Sequence, residues 1–192
     1  MPEEGVVVWL WSYLVEYNCV VVALEDELPV DLPPEFTKLV TGVGKVNASY
    51  TLTNALAKSV GITKVINYGT AGGNEFTKGK LYGIDYFVER DMDCGALGCS
   101  KYVTYGEYEA HAYTYNSENE TRLVCGTGDS FSTPTNDYTL VDMEGYALAK
   151  VCHNFHVPFY SYKFVTDGGD PDEWESNKQK GVEEFLKILK KF

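Results

Sequence analysis

The chain has almost no arginine. Sixteen basic residues stand against 28 acidic ones, the net charge is −12, and only Arg90 and Arg122 are arginines. That balance excludes nucleic acid and anionic membranes as partners, because both are held by basic patches. It suits a neutral or cationic ligand better than a highly anionic one. Arginine is also the residue that grips phosphate through two parallel hydrogen bonds, and neither arginine lies in a glycine loop. Long apolar runs are scarce as well. Val6 to Val15, VVVWLWSYLV, is too short to span a bilayer. Glu3 and Glu4 precede it where a signal peptide would be basic, so it reads as a buried strand or a short helix. The five cysteines are odd in number and form no Cys-x-x-Cys unit. They read as reduced thiols of a cytoplasmic protein, several of them in the core. Cys94, Cys99 and His111 match no usual zinc spacing, and neither a metal nor an organic cofactor is expected. No internal repeat, low-complexity tract or linker is present.

What remains is an ordinary globular composition, 44% apolar and 14% aromatic over 192 residues, which predicts one domain spanning residues 1–192. Asn18 to Ala23 reads as a buried strand leading into the acidic turn Glu25-Asp26-Glu27. Leu28 to Glu35, with three prolines, reads as a loop, and Phe36 to Val40 as a short strand. Val46 to Val60 has helical periodicity and stops at Gly61, a candidate C-cap. Lys64 to Tyr68 is a strand ending in a glycine turn, and Leu81 to Glu89 is another, with alternating Tyr82, Ile84, Tyr86 and Val88. Ser100 to Arg122 is polar, aromatic and hard to read. Leu123 to Cys125 is a strand, Gly145 to Phe155 a helix, and Phe159 to Thr166 a strand. Trp174 to Lys191 is an amphipathic helix with Phe185, Leu186, Ile188 and Leu189 inward. Strands alternating with helices predict an α/β fold with a largely parallel or mixed twisted central sheet flanked by helices.

Two acids stand at strand ends in unlike settings. Glu144 follows an apolar strand end and opens a helix pattern; Asp167 closes a strand just before Gly168 and Gly169. Strand ends followed by glycine-rich turns are where α/β proteins handle ligands. Such a pair can divide two jobs, one carboxylate gripping hydroxyls and one carboxylic acid donating a proton. Plainer readings exist for each: a turn cap for Asp167, a first-turn helix glutamate for Glu144, core side chains for Met143 and Phe131, and a solvated acidic turn for Glu27.

Six short stretches, two of them holding these acids, lie in order along the chain. Ala23-Leu24-Glu25-Asp26-Glu27, Thr41-Gly42-Val43-Gly44-Lys45, Asn67-Tyr68-Gly69-Thr70-Ala71-Gly72-Gly73, Gly128-Asp129-Ser130-Phe131 and Met143-Glu144-Gly145 precede Thr166-Asp167. Together, from about residue 20 to 170, they resemble the nucleoside phosphorylase and nucleosidase superfamily, with the methylthioadenosine/S-adenosylhomocysteine nucleosidases as the nearest likeness. The resemblance implies a nucleoside phosphorylase-like fold and a purine nucleoside as small-molecule partner. It implies Asp167 as proton donor to the leaving base and Glu27, third of its triplet, as activator of water. Glu144 would hold the ribose hydroxyls with Met143 packed on the sugar. Phe131 would stack on the purine while the backbone of Ser130 and Ser132 bonds the base edge. Val43, Thr70 and Gly72 would complete the substrate contacts. The phosphorylases' arginine before the Gly-Ser/Thr turn is here Asn67, as in the nucleosidases, so hydrolysis is expected. The alternatives are a phosphate-dependent purine nucleoside phosphorylase and a nucleoside-binding protein without turnover. Arg90 complicates the choice, either folding toward the site or pairing with Asp91 or Asp93. The octet Asp91 to Gly98 resembles the segment that reaches a partner's active site, which implies a homodimer.

Overall fold

The computed structural model describes residues 16–59, 61–116 and 123–192; the Val6 to Val15 run, Val60 and Arg122 lie outside these. The first strand, β1 (Tyr17–Val22), is apolar without alternation because both of its faces are buried. Cys19 and Val21 turn into one core with Ala48, Leu52, Leu148 and Cys152; Val20 and Val22 turn into another with Tyr68, Phe164 and Phe185. The remaining strands are β2 (Phe36–Val40), β3 (Ile62–Gly72), β4 (Leu81–Gly83), β5 (Tyr86–Glu89), β6 (His111–Tyr113), β7 (Val124–Thr127), β8 (Leu140–Asp142) and β9 (Phe159–Asp167). The helices are α1 (Lys45–Lys58), α2 (Gly145–Asn154), α3 (Pro171–Asn177) and α4 (Val182–Leu189), and Glu25–Glu27 forms one 3₁₀ turn.

Among the described residues the strands join in the order β2-β1-β3-β8-β7-β5-β6, while β9 pairs with β3 and β4. The sheet is mixed: β1, β2, β3 and β9 run parallel, as do β5, β7 and β8, whereas β3 meets β8 antiparallel at Gly72 and Val141. The α/β architecture with a mixed central sheet flanked by helices is thus as expected. α1 buries Ala48, Leu52 and Leu56, one residue per turn, and α2 lies beside it with Leu148, Ala149 and Cys152 in the same core. α4 covers the opposite face through Val182, Phe185 and Leu189. The C-terminal ends of β1, β3, β8 and β9 consequently carry Glu27, Thr70, Glu144 and Asp167 to the junction where the two halves of the sheet meet. Among the described residues no helix is long and apolar enough to cross a membrane.

Four elements differ from the sequence reading. α1 ends at Lys58 with Ser59 in extended geometry, so Gly61 is not its cap. β3 runs on to Gly72 instead of stopping at Tyr68, because β9 pairs with it through Thr70 and Ala71. Leu81 to Glu89 is two strands. β4 pairs with β9, and the chain then crosses at Ile84, whose N–H bonds Ser161, and Asp85, whose N–H bonds Leu123, to begin β5 beside β7. Trp174 to Lys191 is likewise divided, between α3 and α4, where Gly181 lies against the Phe164 ring; a Cβ there would come within 2.5 Å of it.

Gly145 shows how tightly α2 is seated. A Cβ at this position would lie 2.0 Å from Cε1 of the buried Phe87. Gly145→Ala must therefore displace either that ring or the helix start that carries Glu144. Overpacking of this kind costs about 1–3 kcal/mol, which for a chain of this size lowers Tm by roughly 2–12 °C. Thermal denaturation followed by circular dichroism should show that loss.

Candidate active site

The three consecutive acids after β1 part company. Glu25 is exposed and pairs with Lys38, Asp26 pairs with Lys178, and Glu27 is buried at 3% exposure. The 3₁₀ turn folds the Glu27 carboxylate back on the chain. Its Oε2 accepts the N–H groups of Ala23 and Leu24 at 3.2 and 3.1 Å; its Oε1 accepts the N–H and hydroxyl of Thr70 at 3.1 and 2.8 Å. The solvated-turn reading thus describes Glu25 and Asp26, not Glu27.

Glu144 sits where β8 turns into α2, and the N–H of Gly44 donates to its Oε1 at 2.9 Å. Gly42 and Gly44 both have positive φ, 82° and 93°, which side-chain-bearing residues avoid. That geometry aims successive N–H groups at acids: Gly44 at Glu144, and Lys45, the first residue of α1, at Asp129 2.8 Å away. Two carboxylates therefore occupy the positive end of α1. Burial pushes the Glu144 carboxyl up to about 7, and Asp142 and Glu27 add to the rise; Lys163 and the Gly44 N–H oppose it.

Lys163 is the functional-looking residue that sequence reading missed. It lies in β9 at 1% exposure, with Nζ 2.8 Å from Asp142 Oδ2. Burial alone would lower its pKa; Asp142 and Glu144 outweigh that and hold it above the ordinary range. Asp142 also accepts the Thr127 hydroxyl and the Gly145 N–H, so this ion pair anchors the start of α2 beneath Glu144. Gly69 leaves room for the ammonium, which is 3.1 Å from where a Cβ would stand. A lysine in an apolar strand carries no local sign of such a partner; its alternation with Phe164 within β9 is the one available hint.

Asp167, 1% exposed, ends β9 with Oδ1 accepting the Gly169 N–H at 2.7 Å and Oδ2 2.6 Å from the Thr166 hydroxyl. Thr166 Oγ1 is also 3.3 Å from the Ala71 carbonyl. Its proton can point to Asp167 when that group is charged, or to Ala71 while accepting from a neutral Asp167. The carboxyl is thus hydrogen-bonded in both protonation states, as a proton donor needs.

All ten residues named from the sequence line one cavity of about 390 Å³: Glu27, Val43, Thr70, Gly72, Ser130, Phe131, Ser132, Met143, Glu144 and Asp167. Its size falls within the range of small-molecule sites. Phe131 is 49% exposed at this cavity, so it is not a core phenylalanine. The cavity also takes in Asp142, Pro171 and Trp174, which the sequence did not point to, and Arg90, which takes the first of its two expected courses and folds toward the site. Arg90 does not pair with Asp91 or Asp93; Asp91 is held by Lys45, together with Glu89. Its guanidinium instead donates to the Gly128 carbonyl and to the Ser130 hydroxyl and carbonyl, clamping the turn that presents Phe131. Among the described residues no cluster of three or more His, Cys, Asp or Glu side chains could hold a metal ion.

Comparison with known proteins places this geometry in a family. The profile of the phosphorylase superfamily matches residues 36–192. A 5′-methylthioadenosine/S-adenosylhomocysteine nucleosidase of Actinobacillus succinogenes is 30% identical over 182 residues, covering 80% of this chain and 74% of the relative. Its counterpart in Haemophilus influenzae strain PittGG is 29% identical over 182 residues, with 80% and 75% covered. Two solved Helicobacter pylori structures share the fold. A 5′-methylthioadenosine/S-adenosylhomocysteine nucleosidase in complex with a pyrrolidine-based ligand has TM-score 0.78 at 20% identity, over 92% of this chain and 97% of that one. A futalosine hydrolase has TM-score 0.78 at 21% identity, over 93% and 97%. The ordered glycine loops, the strand-end acids and the matched profile lead to one assignment: this chain belongs to the phosphorylase superfamily.

Proposed function

We infer that the protein is a purine nucleosidase that hydrolyses the N-glycosidic bond of a 5′-modified adenine nucleoside, methylthioadenosine or S-adenosylhomocysteine, to adenine and the ribose derivative. The observation that carries this reading is the convergence of Glu27, Glu144 and Asp167, from three separate strand ends, on a single cavity. Breaking the bond leaves a cationic sugar and an anionic base. Asp167 gives a proton to N7 of the purine, Glu144 accepts the 2′- and 3′-hydroxyls and faces the sugar's positive charge, and Glu27 takes up the proton released by the attacking water. Phe131 stacks on the base, held in place by the Arg90 clamp. The curated nucleosidase relatives support the substrate class.

Water as nucleophile, rather than phosphate, is supported by the charges around the cavity. Among the described residues its lining includes Glu27, Asp142, Glu144 and Asp167 but a single cation, Arg90, whose two terminal guanidinium nitrogens donate to Gly128 and Ser130. Asn67, in the place of the phosphorylases' arginine, is buried and bonded to Val21 and Ser161. A phosphate dianion would meet net repulsion from these acids. Purified protein in phosphate-free buffer should release adenine from methylthioadenosine and yield free methylthioribose. A phosphate requirement with a 1-phosphate sugar as product would sink the hydrolase reading. Adenine binding without release would turn it into a binding protein.

We further read the protein as a cytoplasmic homodimer whose interface completes the 5′ pocket. Leu97, in the segment after β5, is 63% exposed, and Val46 and Tyr50 on α1 are 78% and 73% exposed; apolar surface of this kind suits an interface core. Leu97→Glu should then dissociate the dimer and raise KM for methylthioadenosine without loss of circular dichroism signal. Light scattering that finds a fully active monomer at micromolar concentration refutes the shared pocket.

A further inference from the structure

Glu27 presents a difficulty as a direct base for water. A carboxylate has about four lone-pair positions, and Glu27 uses four: two for the Ala23 and Leu24 N–H groups, two for the N–H and hydroxyl of Thr70. Three of these donors are backbone groups, two just after β1 at the entry to the 3₁₀ turn and one in β3, so they cannot swing aside. The fourth is the Thr70 hydroxyl. That hydroxyl is itself held from the other side by Trp174, whose indole Nε1–H donates to Thr70 Oγ1 at 2.9 Å. With one lone pair taken by the indole, the Thr70 proton is directed at Glu27 and the second lone pair of Oγ1 is left for another donor. Glu27, Thr70 and Trp174 all line the cavity. Trp174 is carried there by α3, which is fastened by Asn177 to the Thr166 carbonyl, by Lys78 to Glu173 and by Lys178 to Asp26.

Resting on the nucleosidase reading, we propose that Thr70 is the catalytic relay between the attacking water and Glu27, and that Trp174 is the positioning residue that orients its hydroxyl. Water attacks the sugar carbon as the bond to the base breaks and its electron pair leaves with the base. The water's proton passes to Thr70 Oγ1 while the Thr70 proton passes to Glu27 Oε1, so Glu27 ends neutral and Thr70 is regenerated. Asp167 protonates the departing base. The two acids then return to their starting states by proton exchange with solvent.

The test compares Thr70→Val, Thr70→Ser and Trp174→Phe with the unmutated protein, reading kcat and KM for methylthioadenosine and adenine affinity by calorimetry. Thr70→Val keeps the β-branched shape and the N–H bond but removes the relay. Its kcat should fall about 100-fold, with adenine affinity within about twofold, and Thr70→Ser should restore most of that loss. Trp174→Phe keeps an aromatic wall and should lower kcat about tenfold with KM little changed. If Glu27 acts on water directly, Thr70→Val frees one of its lone pairs, and a kcat within twofold of the unmutated value overturns the relay. Should Thr70→Val fail to fold, the half-buried Trp174 decides: an unchanged kcat in Trp174→Phe overturns the proposal. Unmutated protein that releases no base from the nucleoside overturns the underlying reading as well, and is told apart from these outcomes by that control alone.

Discussion

Asp167→Asn is expected to lower kcat for base release by about 10²- to 10⁴-fold, the usual loss when one acid–base group is removed. The fold should not suffer. Asparagine can keep the Gly169 N–H on its oxygen and turn its amide toward Thr166, so both contacts of the native side chain survive. Adenine affinity should change little, because proton transfer to N7 belongs to the transition state rather than the bound ground state. Steady-state kinetics beside calorimetry separates the two effects. Near-native turnover in Asp167→Asn would remove it from the acid's role.

Glu144 should make activity and stability run in opposite directions with pH. Its carboxyl is raised from 4.5 to about 7 in the folded protein, first by burial. The folded state therefore holds this proton between pH 4.5 and 7 where the unfolded chain has lost it. Stability must fall as pH rises through that window and level off above it. The shift corresponds to about 3 kcal/mol, to which Asp142 adds and which Lys163 opposes. Glu144→Gln has no proton to lose, so above pH 7 it should be more stable than the unmutated apoprotein, by roughly 6–12 °C in Tm, and near pH 4.5 the two should coincide. In the proposed reaction Glu144 acts in its charged form, accepting the ribose hydroxyls and facing the sugar cation. The kcat/KM of the unmutated protein should therefore rise through pH 7, and Glu144→Gln should lose both affinity and rate. A site carboxylate kept at the expense of stability is a common trade in enzymes. Equal Tm values for the two proteins at pH 8 would contradict the burial argument.

The sequence by itself settled whatever depends on local order. The run Cys19 to Val22 declared a strand buried on both faces, because β-branched and apolar residues without alternation have no solvated side. The succession of glycine loops and strand-end acids was enough to indicate the family, and it named ten residues that the fold brings around one cavity. Glycine and acid at fixed spacing carry that information because a positive φ at Gly42 and Gly44 is a backbone requirement, legible wherever it occurs. Tertiary structure decided what each acid does. Glu25, Asp26 and Glu27 are alike in local pattern, and only the family resemblance singled out the third; the 3₁₀ turn and the approach of Thr70, 43 residues away, bury it and leave the others to surface lysines. Lys163 beside Asp142, Arg90 on the Phe131 turn and Trp174 on Thr70 join residues 21, about 40 and 104 positions apart, and no local periodicity encodes such partners. The divisions of Leu81–Glu89 and Trp174–Lys191 have the same origin. An alternating or amphipathic pattern continues through both, but β9 and β7 compete for the first segment and Phe164 takes the space at Gly181 in the second. Local pattern assigns a residue its preferred conformation and face; which distant group meets it there is a property of the packed chain.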